Sequence, residues 1–230
     1  MKILAIETST DICSVCVIAN GKTSQCEINL KQIHSEKIIS LIDQCLKNLN
    51  MELDEIDAVG VSIGPGSFTG LRIGLSTVKG ICFVKEKPII AVPTLDALAL
   101  KAAKFYEIFS NFCLNEVNIC SIIDAKQGDF YYGFYSIFDG KVVKISEFKV
   151  GTFNEILNQI TKPTIFIGDG INEIKERQIF DKAILLKGKL NQAEAYYVAL
   201  IAMEKFQRRE FSDLNSLEPL YIKDFKIKMG

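Results

Sequence analysis

The chain has 230 residues, 48% of them hydrophobic and 24% charged, with a formal net charge of −1 at pH 7. That balance is typical of a soluble protein with room for one large or two small cores, and it excludes the basic excess that draws a protein to nucleic acid through its average field. The opening Met1-Lys2-Ile3-Leu4-Ala5-Ile6-Glu7 is too short an apolar run for a signal peptide and no 18-residue apolar stretch follows, so a cytoplasmic protein without a membrane partner is expected.

Three strands are predicted first: Lys2 to Glu7, Ile12 to Ala19 and Lys22 to Asn29, the last two joined by the hairpin turn Asn20-Gly21. A helix from about Ser35 to Leu49 follows. It is apolar at Ile38, Ile42, Cys45 and Leu49 and again at Ile39, Leu41 and Leu46, a wider arc than one core contact needs. The run Ala58 to Ile63 reads as a strand. It enters Gly64-Pro65-Gly66-Ser67-Phe68-Thr69-Gly70-Leu71-Arg72-Ile73-Gly74, from which a helix runs from Gly70 to Val84 with Leu71, Leu75, Val78 and Cys82 at helical spacing. Strand Ile89 to Val92 and a helix from Thr94 to Phe109 complete the order βββαβαβα.

The glycine stretch is the most informative part of this half. A glycine turn opening a helix aims unpaired N–H groups outward, and with the helix dipole it favours an anion. The plain alternative is a turn closed by Ser67 or Thr69 as the helix cap. Arg72 sits in the first helical turn, where the dipole disfavours a cation, which points to an anion or a partner nearby. Gly74 and Gly80 lie inside the helix, where each costs about 1 kcal/mol against alanine, and small residues there let another backbone approach.

The second half repeats the order. Strands are predicted at Val117 to Asp124, Asp129 to Phe138 and Lys141 to Phe148, with Asp139-Gly140 as the hairpin turn. Then come a helix near Phe153 to Ile160, strand Thr164 to Ile167, the turn Gly168-Asp169-Gly170, a short helix near Asn172 to Arg177, strand Lys182 to Leu186 and a long helix near Asn191 to Gln207. An acid ends each first strand, Glu7 and Asp124, and a Gly-x-Gly turn precedes each second helix. The expected architecture is therefore α/β with two tandem βββαβαβα domains, 1–105 and 106–230, the last helix and tail packing back on the first domain.

Seven cysteines at scattered positions predict reduced thiols rather than a disulfide framework. Cys13-Ser14-Val15-Cys16 has redox or zinc spacing, but residues three apart on a strand point to opposite faces. The single histidine, His34, cannot supply paired-histidine ligation, so no metal site is expected. A Walker-type loop and a Gly-x-Ser-x-Gly elbow are both missing, which removes hydrolase readings through those devices.

The duplicated order is that of the actin, Hsp70 and sugar-kinase (ASKHA) superfamily, in which an acid and hydroxyls after the first strand of each domain face nucleotide phosphates across a cleft. Four stretches go further. Ile6-Glu7-Thr8-Ser9-Thr10, the glycine stretch Gly64 to Gly74, Ile123-Asp124-Ala125-Lys126-Gln127-Gly128-Asp129-Phe130-Tyr131 and Glu218-Pro219-Leu220-Tyr221-Ile222 resemble, in order, the motifs of the bacterial TsaB (YeaZ) family. The resemblance implies a non-catalytic subunit of the complex that transfers threonylcarbamoyl from threonylcarbamoyl-AMP to N6 of adenosine 37 in tRNAs reading codons that begin with A. It implies pairing with the catalytic paralogue TsaD and the ATPase TsaE and indirect contact with tRNA, with a homodimer as the alternative when the chain is alone. No cofactor is expected to bind tightly, ATP or ADP with magnesium belonging to the assembled complex.

The expected partner surface is carried by Ile38, Ile39, Leu41, Ile42, Leu46, Gly70, Arg72, Ile73, Gly74, Thr77 and Ile81. The nucleotide or anion contacts that the superfamily implies are Glu7, Thr8, Ser9, Gly64, Gly66, Ser67, Asp124, Lys126, Gly168, Asp169 and Gly170. Glu7 replaces the aspartate more usual for the family, and the extra methylene moves the carboxylate by about 1 Å, enough to spoil catalytic alignment. The competing readings are an actin-fold ATPase or small-molecule kinase, using Glu7, Thr8, Asp124 and Gly168 to Gly170 around a magnesium nucleotide, and a ligand-free homodimeric scaffold. The tail from Glu218 to Gly230, with Lys223, Lys226 and Lys228, reads as a solvated or partner-bound terminus in preference to a tRNA contact.

Overall fold

The computed structural model describes residues 1–29, 36–109, 117–174 and 183–222. His34, Cys113 and the lysines Lys223, Lys226 and Lys228 lie outside the described residues. The first sheet is built from β1 (Lys2–Glu7), β2 (Ile12–Ala19), β3 (Lys22–Asn29), β4 (Ala58–Ser62) and β5 (Ile89–Val92), in the spatial order β3-β2-β1-β4-β5. The second contains β6 (Asn118–Asp124), β7 (Asp129–Phe138), β8 (Lys141–Lys144), β9 (Lys149–Thr152), β10 (Thr164–Ile167) and β11 (Ala183–Leu185), in the order β11-β10-β6-β7-β8 with β9 also on β7. The two orders are the same path read from opposite edges. Each half has an antiparallel meander joined through its first strand to two parallel strands, the two-layer arrangement that the duplicated pattern predicts.

Alternation along β1 places a core on each face of the first sheet. Leu4 and Ile6 join the cluster under α1 (Glu36–Asn48) and α2 (Phe68–Lys85), while Ile3 and Ala5 join the cluster on the other face. The same alternation separates Cys13 and Cys16, which enter opposite cores. Burial pushes both thiols up to about 12, as expected of small apolar core residues with no thiolate character.

The helices that close the two halves are exchanged. α3 (Thr94–Phe109) follows the first sheet but packs Leu95, Leu98, Ala99 and Ala102 against Ile119, Ile123 and Ile165 of the second. α5 (Ala195–Gln207) follows the second sheet but packs Ala195, Val198, Ala199 and Ala202 on Ile3, Ala5, Ile18 and Ile90 of the first. The small side chains on α5 permit a very close approach: a Cβ on Gly60 of β4 would stand 2.8 Å from Ala202 Cβ.

Three predicted elements come out differently. The strand expected at Lys141 to Phe148 stops at Lys144 as β8, and a further strand, β9, starts only at Lys149; both pair with the ten-residue β7. The break has a steric cause: the Phe148 ring lies on Gly133, where a Cβ would be 2.9 Å from its Cδ1, and Phe134 donates its N–H to Ser146 Oγ instead of a ladder partner. The short helix expected near Asn172 to Arg177 is a 3-10 turn at Asp169–Glu173, its later part lying outside the described residues. The last helix begins at Ala195 rather than near Asn191, because Glu194 is extended and the first amides are capped from the other half. Ala195 N–H donates to Ser14 Oγ at 3.1 Å and Tyr196 N–H to Gln25 Oε1 at 2.9 Å.

A buried lysine fixes that entry. Lys101 of α3, only 5% exposed, donates to the carbonyl oxygens of Lys189 and Gln192, each at 2.9 Å, and to Glu194 Oε1 at 2.5 Å. All three of its donors are used, which lets a charge stay inside. Lys101→Ala leaves the Glu194 carboxylate and two carbonyls without a donor, so it should lower unfolding stability by about 3 kcal/mol. A guanidinium titration of both proteins measures this, and a loss below about 0.5 kcal/mol would show that the clamp contributes nothing net.

Candidate functional site

Two regions gather the residues that the sequence singles out. They are the cleft at the ends of β1 and β6, and the outer surface of α1 and α2.

In the cleft, the chain leaves β1 through Thr8-Ser9-Thr10 and passes directly under the glycine stretch. A Cβ on Gly66 would lie 2.2 Å from Ser9 O, on Gly70 2.1 Å from Thr8 O, and on Gly74 2.2 Å from Thr8 Oγ1. The three glycines therefore admit the first strand's own exit loop. Ser67 N–H donates to Ser9 O at 2.6 Å, and Ser67 Oγ caps α2 by accepting from Gly70 N–H at 3.3 Å. Two amides expected to face an anion are thus taken internally. Gly64, at φ +101°, accepts from Thr94 N–H at 2.8 Å and packs on Leu71.

Glu7, Thr8 and Ser9 are at most 1% exposed. Glu7 Oε1 accepts from Ser9 N–H at 2.5 Å, whereas Glu7 Oε2, Thr8 Oγ1, Ser9 Oγ, Thr94 Oγ1 and Ser121 Oγ are buried with no hydrogen-bond partner among the described residues. Burial raises the Glu7 carboxyl above its ordinary value, and the neighbouring Asp169 charge adds to the rise. On the other side of the cleft, Lys126 Nζ donates to Asp124 Oδ2 at 2.5 Å, its backbone N–H donates to Asp124 Oδ1 at 2.7 Å, and Asp169 Oδ1 accepts from Asp124 N–H at 3.2 Å. Gly168, at φ +116°, and Gly170 press against Ile122. A polar cavity of about 480 Å³ opens beside Asp124, Lys126, Gln127 and Gly128.

This cleft suits a magnesium nucleotide poorly. Glu7 has no surface from which to reach a metal, and among the described residues no group of three or more His, Cys, Asp or Glu side chains is placed to hold one.

The helix surface differs from the expected one. Ile38, Leu41, Ile42 and Leu46 are between 1% and 9% exposed and belong to the chain's own core, because α1 lies flat on β2 and β3 and uses both apolar rows. Ile39, 54% exposed, is left outside. With Thr77, Gly80, Ile81 and Val84 of α2, and with Leu53, Ser76 and Lys85, it lines an apolar groove of about 560 Å³. Ile73 is half-buried against the core, and Thr77 Oγ1 donates to its carbonyl at 2.9 Å. Gly80 meets nothing within 4 Å, so it is the open glycine of the helix, whereas Gly74, expected to admit a partner, is filled by Thr8. The sequence reading missed Val84, 72% exposed, and its neighbour Phe83, 74% exposed. The signal was there, since positions 73, 77, 80, 81 and 84 share one helical face opposite Leu71, Leu75, Val78 and Cys82.

Arg72 is stacked rather than ion-paired. Its guanidinium lies 3.7 Å from the centroid of Phe68, and the Phe68 ring is 5.8 Å from Tyr221. Leu220 N–H donates to Ile63 O at 2.7 Å, so the Glu218 to Ile222 stretch returns to the edge of the glycine turn.

A family model described as TsaD, tRNA N6-adenosine threonylcarbamoyltransferase, matches residues 27–229, which defines the class: a TsaD-like chain on an actin-type α/β fold. Within that class it belongs to the TsaB family. It is 32% identical to the tRNA threonylcarbamoyladenosine biosynthesis protein TsaB of Buchnera aphidicola subsp. Schizaphis graminum over 75% of this chain and 80% of the relative. It is 27% identical to the Haemophilus influenzae protein of the same name over 97% of this chain and 94% of that one. The fold matches YeaZ from Pseudomonas aeruginosa with a TM-score of 0.78 at 22% identity, covering 96% of this chain and 99% of that one.

The glycine geometry sets apart two substitutions in one helix. Gly74→Ala drives a methyl group into Thr8 and should cost about 1–3 kcal/mol, while Gly80→Ala faces open space and should be neutral or stabilise by up to about 1 kcal/mol. Thermal denaturation of both proteins reads the contrast, and equal effects would contradict it.

Asp169 gives the pH dependence. Burial and the Asp124 charge raise its pKa from the model-compound value of 3.8 to about 6. The folded state then holds this proton more tightly than the unfolded state, so the group contributes nothing below about pH 4, destabilises progressively between about pH 4 and 6, and by a constant amount above that. Asp169→Asn keeps the acceptor for Asp124 N–H. It should stabilise the protein by roughly 2 kcal/mol at pH 7.5 and leave it nearly unchanged at pH 4, and a gain that is equal at both pH values would disprove the assignment.

Proposed function

We propose that this chain is the pairing subunit of the machinery that installs threonylcarbamoyladenosine in tRNA, docking through the groove between α1 and α2 onto a TsaD paralogue and carrying no catalytic residue itself. The observation behind this reading is the apolar groove of Ile39, Thr77, Gly80, Ile81 and Val84, extended by the exposed Phe83, on the face of the first sheet opposite α5. Surface helices that carry contiguous apolar side chains around an open glycine accept another helix pair, and burying them is favourable by about 25 cal/mol per Å². A paralogue presents the same two helices, so the joint is a four-helix contact. A second copy of this chain fills the groove in the same way when the paralogue is missing.

The cleft fits the same reading. Glu7 is buried and the glycines of the turn are filled from within, which supports a reading in which ATP or ADP with magnesium, the TsaE ATPase and the tRNA meet in the assembled complex. Arg72 is held over Phe68 at the start of α2. Ile39→Glu combined with Val84→Glu should leave the far-ultraviolet circular dichroism unchanged and weaken binding to the TsaD paralogue by more than about thirtyfold, or 2 kcal/mol, in titration calorimetry. Unchanged affinity would overturn the pairing surface.

A further inference from the structure

On the far side of the molecule from the groove, α3, α5 and the β7–β8 hairpin enclose a cavity of about 430 Å³ that the reading above does not use. It lies at the other end of β6 from the cleft. Tyr135, on its floor, pairs with Ile119 in the register where Phe130 pairs with Asp124. It is also separated from the α1–α2 groove, because α5 covers the opposite face of the first sheet. An assembly made through the groove leaves it open.

The cavity is a built site. Tyr135, 2% exposed, donates its hydroxyl to Asp96 Oδ1 at 2.8 Å, which fixes the carboxyl on the floor. Asp96 Oδ2 accepts no hydrogen bond from the described residues and remains available as an acceptor. Burial raises the Asp96 carboxyl, while Lys144 and Lys205 draw it down. The walls are the apolar Leu100, Val142 and Ile201. The mouth carries Lys104, Lys141, Lys144 and Arg208 against a single further acid, Glu204. Lys104 is paired with Glu107, Lys144 with Glu147 at 3.6 Å and Arg208 with Glu210 at 4.0 Å, whereas Lys141 has no ion pair among the described residues. A second apolar space of about 190 Å³ continues from it past Leu100, Ala103, Tyr106 and Ile137.

We propose that this cavity binds a small phosphomonoester of nucleotide size, with the phosphate at the mouth between Lys141, Lys144 and Arg208, a hydroxyl or amino donor on Asp96 Oδ2, and a flat apolar portion along Leu100 and Val142. The volume lies within the ordinary range for ligand sites, and the lining is the usual one: apolar walls with a few convergent polar groups. The four cations are interleaved with Glu107, Glu147, Glu204 and Glu210. That pattern suits a compact anion seated in a concavity and disfavours a long polyanion laid across the surface, where the acids would repel it.

Adenosine 5′-monophosphate and inorganic phosphate are the probes, titrated calorimetrically into the full chain. Saturable binding of the nucleotide is expected, weakened at least tenfold by Lys141→Ala with Lys144→Ala and unchanged by Lys126→Ala in the cleft. Asp96→Asn should weaken the nucleotide and spare inorganic phosphate; should that variant fail to fold by near-ultraviolet circular dichroism, the lysine double variant alone decides. No heat with either probe at millimolar concentration overturns the proposal. It also fails if Lys126→Ala, and not the lysine pair, abolishes binding. A tRNA that binds this face while the mononucleotide neither binds nor competes would likewise overturn it, in favour of a nucleic-acid surface.

Discussion

The contact of Thr8 and Ser9 with the glycines of α2 is the constraint on which the rest of the first lobe depends. Three positions on the turn and helix, Gly66, Gly70 and Gly74, have no space for a Cβ, because the carbonyls of Ser9 and Thr8 and the Thr8 hydroxyl occupy it. Backbone thus packs on backbone, the closest approach two elements can make, which sets the height of α2 over β1 and β4. With α2 at that height and α1 on β2 and β3, the apolar residues that cannot reach the sheet, Ile39 on one helix and Ile81 and Val84 on the other, face each other across the groove. The same contact closes the floor of the cleft over Glu7 and leaves several hydroxyls without partners. One packing decision makes the outer groove and buries Glu7 beside the inner cleft.

The exchange of α3 and α5 binds the halves into one structure. Each sheet obtains the helix on one face from the other half of the chain, so neither can be completed alone. The joint is polar as well as apolar: Lys101 of α3 holds the entry to α5, while Ser14 and Gln25 of the first sheet cap its first amides. Where the two exchanged helices run side by side above the β7–β8 hairpin, they leave the cavity floored by Asp96 and Tyr135. That space is a product of the exchange and has no counterpart in a single half.

Electrostatics set the state of the acids at the cleft. Glu7 is fully buried, and burial and the Asp169 charge both favour its protonated form. Asp124 is held by Lys126, and Asp169 by the Asp124 amide, so these acids act chiefly on one another. In this TsaB-family chain the acid at the end of β1 is turned inward and the apolar groove of α1 and α2 is turned outward.

The amino-acid order by itself determined the local structure and the duplication. Alternating apolar residues, the Asn20-Gly21 and Asp139-Gly140 turns and the 3.6-residue spacing are signals between near neighbours, and they placed most strands and helices within a few residues. They also marked the glycine stretch as the place of a close approach. Which backbone approaches is a long-range fact: Gly74 and Gly80 look alike in the chain, yet one meets Thr8 and the other meets open space. Leu41 and Leu46 look like a second, free row on α1 until the helix settles flat enough to bury both. The break between β8 and β9, the Asp96–Tyr135 pair and the late start of α5 depend on residues 12, 39 and 181 positions apart. Periodicity reports which face of an element is apolar, but only the packed structure decides whether that face is used up by the chain's own core or left for another molecule.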